Sequence, residues 1–198
     1  ELDEHSDNFR ASGDVWVKGG VLFGRNPDRP ELGGDFFTLL TLNLHAYQEF
    51  STPGKADSEL SETEAMARVA AHGPLFDRIA RAIEQLQPDA ICLQEVAEWG
   101  GPGATAGFGK HPSNAVRQLL DRLPGSRYQL QMDWSHYAWN AWKEGTAVLS
   151  RHPLLERESR YISRPGVGVE DWRSRKVSRI AIQPPGFGAV NIFSVHSG

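Results

Sequence analysis

Short apolar segments alternate with polar loops along most of the chain, and this pattern predicts a protein rich in β-structure. A strand is expected where a short apolar or alternating run is bounded by turn-forming residues. Seven segments fit, namely 36–44, 89–96, 128–132, 145–150, 158–163, 176–183 and 189–195. The last two are joined by Pro184-Pro185-Gly186 and are expected to form a hairpin. Residues 14–24 alternate about Gly19-Gly20 and predict a further small hairpin.

Apolar residues spaced three and four apart predict helices between the strands. The main apolar helical face is formed by Leu75, Ile79, Ile83 and Leu86. This helix connects strands 36–44 and 89–96, which is typical of the crossover in an α/β fold. Other helices are expected over 66–71 and roughly 114–123, a glycine-rich loop over 99–112 and an aromatic loop over 134–142.

Length and composition indicate one sizeable globular domain. The chain has 198 residues, 39% hydrophobic and 23% charged. We assign residues 1–34 to an N-terminal extension that carries the small hairpin, and residues 35–198 to the domain. No apolar run is long enough to predict a transmembrane segment. The single cysteine, Cys92, excludes an internal disulfide and is expected in the core.

Polar side chains stand at the ends of the apolar strands. Asn43, Glu95 and His196 lie at or just beyond the C-terminal ends of three strands, and Glu144 is expected just before a fourth. Ligands bind at such strand ends in α/β sheets. Each residue alone also has a structural explanation, as a turn cap, a surface charge or a partner of the backbone. A carboxylate ending a buried strand requires compensation, and a hard cation such as Mg²⁺ provides it.

Four motifs that carry these residues occur in a recognisable order. They are Leu42-Asn43-Leu44, ICLQEV over 91–96, EGTAVLSR over 144–151 and VNIFSVH over 190–196. From about Phe36 to Gly198 the chain resembles the endonuclease/exonuclease/phosphatase superfamily, which has the deoxyribonuclease I-like fold. The resemblance implies an α/β protein in which two packed β-sheets form a sandwich flanked by helices.

The resemblance also implies a phosphoesterase that depends on Mg²⁺ or Mn²⁺. Glu95 matches the metal-binding glutamate of the family, and Asn43 matches the asparagine beside the metal and the scissile phosphate. His196 matches the histidine that hydrogen-bonds the phosphate or assists departure of the leaving group. A metal ion would offset the phosphate charge that repels a nucleophile.

Two further residues receive roles from weaker matches, and a third, Trp142, receives one without a family match. Glu144 follows Trp142-Lys143 and lies where nuclease members carry a second acidic residue. Arg175 falls where those nucleases place an arginine that contacts phosphate, and its planar fork suits phosphate oxygens. Trp142 is assigned to substrate binding.

Charge and aromatic content bear on the substrate, which is expected to be a phosphate ester. A net charge of −4 argues against a broadly basic surface for nucleic acid. A local basic cluster nevertheless suits a polyanion, and it consists of Arg173, Arg175, Lys176 and Arg179. The aromatic residues of 134–142 can stack on bases, face a lipid or sugar, or pack on the core. Nucleic acid is the first hypothesis. The alternatives are a phospholipid or sphingolipid phosphodiesterase, a phosphoinositide phosphatase, and an inactive fragment that serves as a binding module.

The chain departs from the family pattern at its C-terminal end. Family members continue past the VNIFSVH motif with an Asp-x-Asn pair, a Gly-Asp-x-Asn segment and an Asp-His pair that supplies the usual general base. These are not in the sequence, so we expect the fold to be incomplete at its C-terminus and the exposed sheet to favour association. The protein is expected to be soluble. Its compartment stays unknown, secreted or cytoplasmic, with neither a retained signal peptide nor a disulfide in the sequence.

Overall fold

The computed structural model describes residues 15–18, 21–24, 37–51, 53–104, 107–123, 128–164 and 170–197. The chain divides into two units, residues 1–36 and 37–198. In the first unit β1 (Val15–Lys18) and β2 (Val21–Gly24) form an antiparallel pair in which Val15 lies opposite Gly24. All other described elements belong to the second unit.

Three α-helices occur in the described part of the second unit, and capping residues set their ends. They are α1 (Glu62–Ala71), α2 (Gly73–Leu86) and α3 (Ala115–Leu120). α1 begins earlier than its apolar periodicity suggested, because Ser61 and Glu64 form a capping box. α3 is shorter than the predicted 114–123 and is capped by the Asn114 side chain. None of these helices has the length and apolar character needed to cross a bilayer.

The first sheet of the second unit contains four strands. They are β3 (Leu39–Asn43), β4 (Ala90–Trp99), β5 (Gln129–Ala138) and β6 (Trp142–Ser150). Their order is β3-β4-β6-β5. β3 and β4 run parallel across the predicted helical crossover, whereas β6 pairs antiparallel with both β4 and β5.

The second sheet contains β7 (Leu154–Tyr161), β8 (Lys176–Ile182) and β9 (Val190–Val195) in that order. The predicted hairpin between β8 and β9 is confirmed, with Val177 opposite Val195. β7 begins before the predicted segment 158–163. β9 is an edge strand, and its Phe193 side chain is exposed.

An apolar core lies between the two sheets. Ala90, Cys92 and Val148 of the first sheet pack with Ile180, Ile182 and Ile192 of the second. Cys92 is buried as expected, and burial raises the pKa of its thiol to about 11. On the helical side α3 contacts both β4 and α2. The predicted α/β architecture of two packed sheets with flanking helices is therefore confirmed.

The aromatic segment 134–142 is not a loop, contrary to the prediction. β5 extends to Ala138 and β6 begins at Trp142, so that only residues 139–141 form the turn. Glu144 consequently lies inside β6 rather than before a strand. The mixture of polar and aromatic residues obscured the alternation, since both faces of these strands carry bulky side chains in the buried sheet.

Candidate active site

Glu95 lies at a β-bulge in the middle of β4. Leu93 pairs with Ala147 of β6, but the next pair is Val96 with Gly145, so Gln94 and Glu95 together oppose one residue. Glu95 has a φ of 47°, a left-handed conformation that costs a residue with a side chain about 1–2 kcal/mol. Bulges re-aim side chains next to active sites. The bulge turns the Glu95 carboxylate toward a cleft instead of leaving it on a regular strand face.

Asn43, the last residue of β3, holds the Glu95 carboxylate. Its Nδ2 donates to Glu95 Oε1 at 2.7 Å, and its Oδ1 accepts from the backbone N–H of His45 at 2.7 Å. His45 follows in a turn of three residues with positive φ, whose other two members are buried. The His45 ring remains exposed, and its Nδ1 lies 3.0 Å from Glu49 Oε1. The end of β3 thus fixes one side of the cleft.

His196 lies one residue beyond β9 and approaches Glu95 from the second sheet. Its Nε2 is 3.4 Å from Glu95 Oε1. Ser194, two residues earlier, is buried and ties the sheets together at this point. Its hydroxyl donates to the carbonyl of Leu93 at 2.9 Å and accepts from Gln94 Nε2 at 3.1 Å. These hydrogen bonds bring the end of β9 to the bulge, and thereby position His196.

Glu144 and His136 form a buried pair at 3.4 Å, between Glu144 Oε1 and His136 Nε2. A second bulge, in β5 between Trp134 and His136, faces the same part of β6. His136 Nδ1 lies 3.0 Å from the carbonyl of Ser174, so we assign the ring proton to Nδ1. The lone pair of Nε2 then faces Glu144.

The electrostatics of this pair favour its neutral form. Burial, and then the charge of Glu95, raise the pKa of Glu144 from 4.5 to about 7. Burial, and then the Arg175 guanidinium, lower the pKa of His136. Although the two groups have opposite formal charges, both shifts oppose ionisation, and a protonated Glu144 can donate to Nε2. The pair can therefore hold a proton close to the cleft at neutral pH.

Arg175 faces the cleft from the segment before β8. Its Nη1 donates to the carbonyls of Trp172 at 2.7 Å and Ser174 at 3.0 Å. Its Nε is buried without a hydrogen-bond partner among the described residues. These contacts set the orientation of the guanidinium plane beside His136.

The predicted basic cluster is not a free cationic surface. Arg173 pairs with Asp171, Lys176 with Asp133, and Arg179 with Glu156 and Glu158. The partners of Arg179 lie on the neighbouring strand β7 and that of Lys176 lies on β5 of the other sheet, relations that residue spacing in the sequence does not reveal. Asp171, in contrast, lies only two residues before Arg173. Among the ion pairs of the described residues Arg175 has no carboxylate partner, so it is the member of the cluster available to a ligand.

The prediction that Trp142 binds substrate is wrong. Trp142 is 0% exposed, and its Nε1 donates to Asp57 Oδ2 at 2.9 Å. Asp57 also forms a buried ion pair with Arg68, and the Trp142 ring packs against Trp99. Trp142 therefore anchors the start of β6 in the core, where no substrate can reach its ring.

The remaining predicted residues surround one cleft of about 660 Å³. Its wall combines titratable side chains with exposed aromatic ones, and the lining residues are His45, Glu95, His136, Tyr137, Ala138, Trp139, Asn140, Glu144, Trp172, Arg175 and His196. Asn43 joins them through its hydrogen bond to Glu95. No role was predicted for His45, His136 and Trp172. Trp139 was predicted only as one of the aromatic residues of 134–142 that can stack on bases, face a lipid or sugar, or pack on the core. The sequence signal available for His45 was its position two residues after Asn43.

The donor set fits a hard divalent cation bound through Glu95. Mg²⁺ is commonly held by one or two carboxylates, with waters and substrate phosphates completing its coordination. No cluster of three or more His, Cys, Asp or Glu side chains suited to a metal occurs in the described ranges. Glu95 therefore supplies a single carboxylate. After burial, the charge of this carboxylate is the second cause of the raised pKa of Glu144, and a cation near Glu95 would offset that charge.

Comparison with known proteins agrees with the motifs. The model of the Endonuclease/Exonuclease/phosphatase family matches residues 70–189. A family protein from Leptotrichia buccalis superposes with a TM-score of 0.58 at 23% identity, over 82% of this chain and 54% of that one. A family protein from Beutenbergia cavernae superposes with a TM-score of 0.52 at 21% identity, over 81% of this chain and 38% of that one. The chain thus spans about half or less of these structures. No curated protein matches the sequence significantly.

Proposed function

Because the chain belongs to the endonuclease/exonuclease/phosphatase family, we propose that it carries part of the active site of a divalent-metal-dependent phosphoesterase. Members of this family are phosphoesterases and nucleases. The observation that carries the proposal is the convergence at the Glu95 bulge. Asn43 ends β3, Glu95 lies in β4 and His196 follows β9, so the three residues come from both sheets. Asn43 Nδ2 lies 2.7 Å and His196 Nε2 lies 3.4 Å from Glu95 Oε1.

Each residue has a role that follows from its contacts. Glu95 would hold the cation, and Asn43 keeps the carboxylate in place through its amide. A bound cation would stabilise the negative charge that develops on the phosphoryl oxygens. Arg175 offers N–H donors to the phosphate, with its plane fixed by the carbonyls of Trp172 and Ser174.

Two imidazoles and one carboxyl can handle protons in the cleft. His196 is placed to donate a hydrogen bond to a phosphate oxygen or to the leaving oxygen, as general acids do. The neutral Glu144–His136 pair keeps a proton within the same cleft. Glu144 thereby receives a role in proton storage, which differs from that of a second metal ligand.

Phosphodiesters are the proposed substrate class, with nucleic acid or its fragments as the first candidates. The Arg175 guanidinium and the imidazoles of His45 and His196 in the cleft wall support an anionic substrate. Lipid phosphodiesters and phosphoinositides stay as alternatives. A non-catalytic binding role is the third alternative, and the activity assay below tests it directly.

The decisive experiment compares hydrolysis of bis(p-nitrophenyl) phosphate by the protein and by Glu95→Gln, with MgCl₂ and with EDTA. We expect turnover to require the metal and to fall at least about 100-fold in the variant, the scale on which removing a transition-state contact acts. Glu84→Gln, on the exposed side of α2, removes an equal charge far from the cleft and should keep full activity. Circular dichroism checks that both variants fold. Metal-independent turnover, or full activity of Glu95→Gln, would refute the proposal.

A further inference from the structure

Trp139 lies at the mouth of the cleft and has an unfavourable backbone conformation. It forms the turn between β5 and β6 with Asn140, and the φ angles of the two residues are 50° and 53°. Such turns favour Asn and Gly and disfavour large side chains. Trp139 is nevertheless 50% exposed and lines the cleft. Trp139 is not among the buried core residues of the described chain, and it lines the cleft, so a surface role is indicated.

Trp172 lines the same cleft and is 66% exposed. Its backbone is fixed from both sides despite this exposure. Asp171 accepts from the backbone N–H of Arg173 at 2.9 Å and from its guanidinium, and Arg175 Nη1 donates to the Trp172 carbonyl at 2.7 Å. A large apolar ring on an anchored turn is pre-organised to contact a ligand.

The charges around the cleft favour a compact anion over a long one. Binding along a nucleic-acid strand requires a track of unpaired cations. Here Arg173, Lys176 and Arg179 are neutralised by carboxylates, and Arg175 alone of the cluster faces the cleft. The volume of about 660 Å³ lies in the range typical of small-molecule sites. One phosphate and one ring system would occupy such a cleft.

We propose that Trp139 and Trp172 form a stacking site for the base of a single nucleotide unit whose phosphate lies at Arg175 and Glu95. The proposal rests on the phosphoesterase function above and names its substrate class, a nucleotide or small nucleotide ester. Indole faces stack on any base. Asn140, exposed beside Trp139, offers an amide that can both donate to and accept from a base edge.

The other residues of the cleft argue against a lipid. The cleft joins apolar surface, to which the aromatic rings and Ala138 contribute, with side chains that are polar or titratable. An acyl chain would leave those polar groups without partners. A base has apolar faces and polar edges, which matches indoles surrounded by amide, imidazole and guanidinium groups. This complementarity is what selects a nucleotide.

The test measures binding of AMP and of ribose 5-phosphate, which share the sugar and phosphate but differ in the base. With MgCl₂ present, calorimetry should give an affinity about ten-fold higher for AMP, the lower end of what stacking on aromatic residues supplies. Trp139→Leu and Trp172→Leu should each remove most of that ratio and leave ribose 5-phosphate unchanged. Phe108→Leu alters an exposed aromatic outside the cleft lining and is the matched control.

Several outcomes would overturn the stacking site. These are equal affinities for the two ligands, no binding of either, an equal loss for both in the tryptophan variants, or tighter binding of a hexose 6-phosphate than of AMP. An adenosine oligonucleotide that binds many-fold tighter than AMP would overturn the single-nucleotide size. Because the ratio is independent of turnover, its failure is distinct from failure of the phosphoesterase assay, in which Glu95→Gln is decisive.

Discussion

Glu144→Gln is expected to stabilise the protein at neutral and alkaline pH while leaving its stability in acid unchanged. Burial and the charge of Glu95 raise the pKa of Glu144 from 4.5 to about 7. Between these two values the native state retains a proton that the unfolded chain has lost. The free energy of unfolding therefore falls as the pH rises through this interval.

The magnitude follows from the width of the interval. Each pH unit within it lowers the free energy of unfolding by about 1.4 kcal/mol, so the whole interval amounts to about 3 kcal/mol. Glutamine has nearly the same shape and cannot ionise, and its amide can donate to His136 Nε2 as the protonated carboxyl does. The advantage of the variant should grow from near zero at about pH 4 to about 3 kcal/mol at about pH 8.

Urea unfolding followed by tryptophan fluorescence at a series of pH values measures this difference. EDTA is included, because a cation near Glu95 would change the field at Glu144. Glu84→Gln serves as the control and should stay within about 0.5 kcal/mol of the parent at every pH. The reasoning would be refuted if the free energies of unfolding of Glu144→Gln and the parent differed by the same amount at every pH from acid to alkaline.

Two further substitutions test how the site is supported. Asp57→Ala should lower the free energy of unfolding by about 3–5 kcal/mol in urea unfolding, because Arg68 would be left buried without its carboxylate; a loss below about 1 kcal/mol would contradict the importance of this pair. Gly145→Ala should prevent correct pairing of β5 with β6, since its Cβ would lie 2.0 Å from the Asp133 carbonyl oxygen, and thermal unfolding should show a loss above about 4 kcal/mol. Gly188→Ala meets nothing within 4 Å and is the control, which should melt like the parent.

The sequence was informative where regular periodicity and motif order coincide. The run 89–96 and the motif that ends at His196 identified two strands that the structure contains. Asn43 and His196 were correctly placed at or just beyond strand ends, because the apolar runs stop beside them. The predicted strand end at Glu95 is wrong, because β4 continues through the bulge to Trp99. Family order then linked residues that lie far apart in the chain.

The bulges could not be predicted, since a two-residue period does not show where an extra residue enters a strand. Trp142 was misjudged for a related reason. Its partner Asp57 lies 85 positions away, and that hydrogen bond decides that the ring points into the core. The acidic partners of Lys176 and Arg179 likewise depend on how strands are juxtaposed, whereas the partner of Arg173, Asp171, lies two residues away. Long-range pairing, rather than local composition, determines which of these side chains a ligand can meet.

The orientation of Glu95 in the candidate site depends on the one extra residue that forms the bulge in β4. Side chains alternate faces along a strand, so deletion of either Gln94 or Glu95 would let the ladder with β6 continue without interruption. The resulting sheet would be more regular and would no longer contain the left-handed residue. It would also no longer turn a carboxylate toward the cleft. A single-codon deletion is thus a short evolutionary route by which a relative could keep the fold and lose the proposed cation ligand, and homologues with a β4 one residue shorter would be candidates for that class.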